Sequence, residues 1–135
     1  MKKLILIAAL LTATSSSATH LTEDQQRDAR AAITANSNRM LSAMKIRAKE
    51  ESKPANLTDD EAFQIAYAAR ENVLNSANAR IAQLLAQGVT CTQINTAYGE
   101  MINQQVNKEP ASTEGMIAYR KYIKARCALT ADELE

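Results

Sequence analysis

Two cysteines are the residues of this 135-residue chain whose type and spacing most directly predict a chemical bond. Cys91 precedes and Cys127 follows a turn predicted at Glu109 and Pro110, midway between them in the sequence. If the flanking segments form an antiparallel helical hairpin, both sulfur atoms lie on its apolar side and can meet. We therefore predict a Cys91–Cys127 disulfide, which an oxidising compartment would preserve. A redox-active pair is disfavoured, because such pairs normally have closer spacing, as in Cys-x-x-Cys.

A cationic, tyrosine-containing segment near the C-terminus is the candidate partner-binding surface. Its residues are Tyr119, Arg120, Tyr122, Lys124 and Arg126. Because Tyr and Arg are enriched at protein-binding hot spots, this surface suits an acidic protein partner. The alternative interpretation is a solvated helix end, where the helix dipole favours basic side chains.

Other reactive groups are scarce in this sequence. One histidine, His20, two cysteines and no glycine-rich loop cannot supply a zinc site, a Ser-His-Asp arrangement or a phosphate-binding loop. We therefore expect no catalytic residues, no metal and no other cofactor. With 16 basic and 15 acidic residues, the formal net charge of +1 also disfavours general nucleic-acid binding.

The elements that position these residues are predicted to be helices. Three Gly and two Pro in the whole chain suit a few long helices better than the many turns of a β-sandwich. Thr22, Thr58 and Thr90 each begin a capping-box pattern, a typical helix start. The sequence thus predicts an all-α fold, a small four-helix bundle with helices near 22–51, 58–87, 90–108 and 113–127. The first helix has a weak apolar stripe, interrupted at Asn36 or Ser37, and whether it packs on the bundle stays open.

The N-terminal segment has the three-part layout of a secretory signal peptide. Lys2 and Lys3 provide a positive start, residues 4–11 form an apolar run, and residues 12–18 are small or polar. A membrane anchor is the weaker interpretation, because this apolar run spans only about 12 Å as a helix, against a hydrocarbon core of roughly 30 Å.

The cleavage site is predicted between Ala18 and Thr19, because Ser16 and Ala18 are the small residues that signal peptidase accepts before the cut. The domain prediction is therefore a signal peptide at 1–18 and one helical domain at 19–135. Loss of the signal would remove two lysines and change the formal net charge from +1 to −1. No later segment has the roughly 20 apolar residues of a membrane span, so no stable membrane insertion is expected.

The predicted signal peptide and the helical composition together indicate the expected function. A short, lysine-led signal is typical of Gram-negative secretory signals and predicts the periplasm, with onward secretion as an alternative. We expect a small soluble exported protein that acts by binding a protein partner, such as an immunity or inhibitor protein or an accessory factor of a secretion or conjugation machine. A periplasmic stress chaperone is one alternative, and an enzyme of unknown reaction is another.

Overall fold

The structure, a computed structural model, describes residues 20–109 and 112–134. In these two ranges it contains four α-helices and no strand, which confirms the predicted all-α four-helix fold. The helices are α1 at Glu23–Glu51, α2 at Asp59–Ala86, α3 at Cys91–Lys108 and α4 at Thr113–Glu133.

Three threonines set the helix starts, as the sequence predicted. The Oγ1 atom of Thr22 accepts the backbone N–H of Gln25 at 3.1 Å, and Oε1 of Gln25 accepts the backbone N–H of Thr22 at 2.9 Å. The same reciprocal pair of bonds forms between Thr58 and Glu61 and between Thr90 and Gln93. Each capping box satisfies two backbone N–H groups that would otherwise lack a partner at a helix start.

The end of the fourth helix differs from the sequence prediction. The prediction ended this helix near Cys127, whereas α4 continues without a break to Glu133. No Gly or Pro follows Cys127 to interrupt the backbone hydrogen bonds. Burial of Leu129 against the bundle stabilises the added turns.

α1 packs firmly on the bundle, which settles a question that the sequence left open. At its start, the carboxylate of Asp132 in α4 accepts the backbone N–H of Leu21 at 2.7 Å. In its middle, Met40 is buried in the core. Near its end, Lys49 forms an ion pair with Asp59 at the start of α2. These contacts show that α1 runs antiparallel to both α2 and α4.

α4 is the helix around which the bundle is organised. It packs along α1 and α3 and also contacts α2, whereas α2 and α3 make only sparse contact with each other. The buried core is therefore drawn from all four helices, with α4 contributing the most side chains. Its members are Met40, Leu74, Ala77, Ile81, Ile94, Ala118, Tyr122, Ile123 and Cys127.

The predicted disulfide is confirmed. Cys91 at the start of α3 is bonded to Cys127 in α4, and their Cα atoms lie 5.8 Å apart, a distance usual for a disulfide. Cys127 is fully buried. The bond therefore joins α3 to α4 at the open end of the α3–α4 hairpin, away from the connecting turn.

The predicted signal peptide, residues 1–18, and the Ala18–Thr19 cleavage site lie outside the described residues. Within the part of the chain that the structure describes, no helix combines the length and the apolar character needed to cross a membrane.

Removal of the disulfide is expected to destabilise the protein strongly. In the double variant Cys91→Ala with Cys127→Ala, the free energy of unfolding should fall by about 4 kcal/mol, because the unfolded chain regains the freedom that the cross-link removes. Urea denaturation followed by far-UV circular dichroism measures the change. The wild-type protein in a reducing agent is the matched control, and its free energy of unfolding should fall by a similar amount. A loss below about 1 kcal/mol in both would contradict the expectation.

Acid should weaken the cap of α2. The backbone N–H of Thr58 donates to Glu61 and lowers the pKa of its carboxyl below the ordinary 4.5. A lowered folded-state pKa means that this contribution to stability is present above the ordinary pKa and is lost as the pH falls through the folded value. Because Gln serves the same role at Gln25 and Gln93, Glu61→Gln should keep the cap and flatten the decline in stability between about pH 5 and pH 3. Identical pH profiles of wild type and variant, in urea titrations, would contradict this.

Candidate functional site

The cationic surface predicted from the sequence does not exist as one patch. Tyr122, predicted to be part of it, is only 2% exposed, and its hydroxyl donates a hydrogen bond to Oδ1 of Asn78 in α2 at 2.9 Å. The prediction is wrong for Tyr122 because α4 is covered on three sides by other helices, so its buried arc is wider than a single stripe. Arg126 is half-buried, with its guanidinium 5.8 Å from the centre of the Tyr122 ring.

Tyr119 also faces inward rather than outward. Its ring meets the edge of the Tyr98 ring with centroids 6.0 Å apart and planes 89° apart. Burial, together with the neighbouring Tyr98, raises the pKa of Tyr119 to about 12. Of the five predicted surface residues, only Arg120 and Lys124 are exposed.

A different feature, an apolar cleft, lies on the side of the bundle where α2 and α3 diverge. The two helices are joined by a turn in which Gly88 has φ +89°, a conformation that favours glycine at a helix end. Beyond this turn they separate, and α1 and α4 form the floor between them. The cleft has a volume of about 520 Å³. Its apolar lining consists of Met40, Ala43, Met44, Ala48, Ile65, Ala66, Ala69, Val73, Met101, Ile102, Gly115, Met116 and Tyr119.

Methionine distinguishes this cleft from the rest of the protein. The chain has five methionines, and every one beyond Met1 lines the cleft. They come from three helices, with Met40 and Met44 on α1, Met101 on α3 and Met116 on α4. Unbranched, polarisable methionine side chains adapt their shape to a bound apolar surface. We call this site the methionine cleft.

Apolar surface is exposed at the mouth of the methionine cleft. Ile65 on α2 is 51% exposed and Met101 on α3 is 44% exposed, and they stand on opposite walls. Exposed apolar side chains that cluster around a concave site are typical of binding surfaces. Binding of an apolar ligand over the mouth of the cleft would therefore bury this surface, which is favourable in free energy.

One end of the methionine cleft is closed by a charged cluster. Arg47 donates to Oε1 of Glu51 at 2.6 Å, to Oε2 of Glu109 at 2.6 Å and to the hydroxyl of Ser112 at 2.5 Å. Hydrogen bonds to these two carboxylates raise the pKa of the Arg47 guanidinium above its ordinary value. The cluster ties α1 to the segments on both sides of the α3–α4 connection. Because one guanidinium faces two carboxylates, the cluster has a formal net charge of −1 at one end of an otherwise apolar cleft.

The sequence pattern places all four of these methionines on the apolar stripes of the predicted helices. Only Met40 is fully buried. A usable signal was nevertheless present, since they occupy the second halves of α1 and α3 and the first half of α4. In an antiparallel bundle these segments lie at the same end, so the clustering of the methionines could have been predicted from the sequence but was not.

Neither a metal site among the described residues nor a known relative indicates a different function. No group of three or more His, Cys, Asp or Glu side chains in the part of the chain that the structure describes could hold a metal ion. His20 lies beside Asp132, with Nδ1 3.6 Å from Oδ1, where Asp132 already accepts the N–H of Leu21. Comparisons with protein-family models, with curated proteins and with solved structures each find no match.

The buried hydroxyl of Tyr122 should contribute to stability. In Tyr122→Phe, Asn78 loses its hydrogen-bond donor, and the free energy of unfolding should fall by about 1 kcal/mol. Tyr67→Phe is the matched control, because the Tyr67 ring is 44% exposed, and it should change stability by less than about 0.5 kcal/mol. Chemical denaturation of both variants measures the difference. Equal effects at the two positions would show that the Tyr122–Asn78 bond contributes nothing.

Proposed function

We propose that this protein is an exported, non-enzymatic binding protein whose methionine cleft holds the apolar face of an amphipathic helix from a partner protein. The observation that carries the proposal is that every methionine beyond Met1 lines this one partly open cleft. Grooves of this kind are used by proteins that bind helical segments, and methionine-rich surfaces are common among them.

The shape of the methionine cleft favours a helix as the occupant. Met40, Met44 and Ala48 recur every four residues along the floor, which is two helical turns or about 12 Å. Ile65, Ala69 and Val73 recur with the same spacing along the α2 wall. A helix laid lengthwise would meet both rows with its own side chains at i, i+3, i+4 and i+7. Its presence would also complete the helical layer that α2 and α3 leave open.

The proposed location is the periplasm, reached through the signal peptide at residues 1–18. The layout of these residues supports export, and the Cys91–Cys127 disulfide is the kind of bond that persists in an oxidising compartment. In that location, a helix-binding protein of this size could serve as an immunity or inhibitor protein, or as an accessory factor of a secretion or conjugation machine. These roles share one mechanism, which is capture of a helical segment.

A periplasmic stress chaperone is the second candidate function. Flexible methionine side chains can repack around many different apolar segments, which suits a protein without a single partner. A chaperone should bind unrelated helical peptides with similar affinity and prevent an unfolding protein from aggregating. A dedicated binding protein should discriminate among the same peptides. Peptide titrations with a small panel of sequences separate the two functions.

The methionine cleft can be tested with a model peptide. We would use a fluorescently labelled helical peptide of roughly 18 residues, with leucines on one face and uncharged polar residues on the other. In Ile65→Glu, a charge at the mouth of the cleft should lower peptide affinity by about tenfold or more, because an apolar contact is lost and a carboxylate must be desolvated. Fluorescence anisotropy measures the dissociation constant.

The matched control is Ile46→Glu. Ile46 is also an exposed isoleucine, at 60% against 51% for Ile65, but it does not line the methionine cleft. This variant should bind the peptide within about twofold of wild type. A peptide of the same composition with its leucines scrambled should bind weakly to all three proteins. If both variants lose affinity equally, or if the scrambled peptide binds as well, the cleft is not the binding site.

A further inference from the structure

A second groove, different in chemistry from the methionine cleft, follows the seam between α3 and α4. Its volume is about 730 Å³. Three cations from α4 line it, Arg120, Lys121 and Lys124, and no carboxylate does. The α3 side offers neutral polar groups, including Thr96 and Asn103. We call this site the cationic groove.

The three cations of this groove are uncompensated. Within the part of the chain that the structure describes, none of Arg120, Lys121 and Lys124 takes part in an ion pair. Other basic residues in the same ranges, such as Arg30 and Arg80, also lack an ion pair, but they do not line this groove. What distinguishes Arg120, Lys121 and Lys124 is that they share one concave site. Uncompensated like charges in a concave site concentrate the positive potential there and attract an anionic ligand.

Part of the Arg120 side chain packs against α3, although the residue as a whole is exposed. Its guanidinium lies against α3 at Gly99, where a Cβ atom would stand 3.2 Å from Nη2 and 3.3 Å from Cζ. Gly99 is buried inside a helix, a position where glycine normally lowers helix stability. The missing side chain lets the guanidinium rest on the α3 backbone. A cation with a restricted position loses less conformational freedom when it binds a carboxylate.

The shape of the cationic groove favours a peptide over a membrane or a nucleic acid. A concave site between two helices cannot be laid flat on a lipid surface. Single-stranded nucleic acids need exposed aromatic rings on which bases stack, whereas Tyr98, which lines this groove, is packed against Tyr119. Along the α4 side of the groove, Ile117 is 48% exposed and can contact an apolar side chain of a ligand.

We propose that the cationic groove binds an acidic peptide segment of a protein partner. Its carboxylates would meet Arg120, Lys121 and Lys124, and an apolar side chain of the same segment would contact Ile117. Lys124 lies one helical turn from Arg120 and from Lys121, a spacing of about 5–6 Å that two or three neighbouring acidic side chains can match. The site stands apart from the methionine cleft, although Ile102 of α3 lines both.

The probe for this site is a fluorescein-labelled peptide of about eight residues, rich in glutamate and containing one leucine, which in extended form is long enough to follow the groove. Its affinity is measured by fluorescence anisotropy at about 0.15 M ionic strength. In the double variant Arg120→Gln with Lys124→Gln, the dissociation constant should rise by about tenfold. Both side chains are exposed, so the variant should keep its fold, which circular dichroism checks.

The matched control is Arg30→Gln with Arg80→Gln. These two arginines are exposed and lie outside the cationic groove, so the control has the same change in net charge. It should bind the acidic peptide within about twofold of wild type. An equal loss in both double variants would overturn the proposal, since it would show attraction to net charge alone. Absence of binding by the wild-type protein would overturn it too.

Two further comparisons identify the ligand class and separate this proposal from the proposed function. Phosphatidylglycerol vesicles and a single-stranded oligonucleotide should bind more weakly than the acidic peptide, and stronger binding of either would overturn the assignment to a peptide. The cleft variant Ile65→Glu should bind the acidic peptide like wild type. Loss of acidic-peptide binding in that variant would contradict a separate site, whereas failure of the helical peptide to bind the wild type would affect only the methionine cleft.

Discussion

The packing of α4 against three other helices is the constraint on which the rest of the structure depends. Tyr122 and Ile123 are neighbours in sequence and both are buried, because α4 has partners on more than one side. The Tyr122 hydroxyl bonds to α2, while Cys127 joins α4 covalently to α3. α2 and α3 each pack against α4 and make only sparse contact with each other. The gap between them becomes the methionine cleft.

That gap is compatible with a stable fold because the chain is held together at other points. Asp132 secures the start of α1, and the Arg47 cluster ties its far end to the α3–α4 connection. The disulfide limits the freedom of the unfolded chain and thereby compensates for a small core built partly from alanine. Apolar side chains such as Ile65 and Met101 can therefore remain exposed at the cleft without being needed for the core.

The two proposed sites lie on two sides of α3, so one partner could contact both of them. In the proposed complex, the adaptable apolar side chains of the methionine cleft would contribute affinity, and the charges of the cationic groove would contribute specificity and faster association. A helical segment followed by an acidic tail has the chemistry to occupy the two sites in turn. Arg120 and Lys124 belong to the surface predicted from the sequence, but in the structure they line a groove with α3 residues rather than with Tyr122.

The sequence by itself determined the features that depend on neighbouring residues. Capping boxes such as Thr58 with Glu61 set the helix starts, and the position of Cys91 and Cys127 about a predicted turn identified the disulfide. Such signals can be recognised because hydrogen bonding and chain geometry act over a few residues or one hairpin. Only the tertiary structure decided that Tyr122 is buried and that the methionines line an open cleft. Those outcomes depend on which helices meet α4 and how far α2 and α3 diverge, and residues distant in sequence set both.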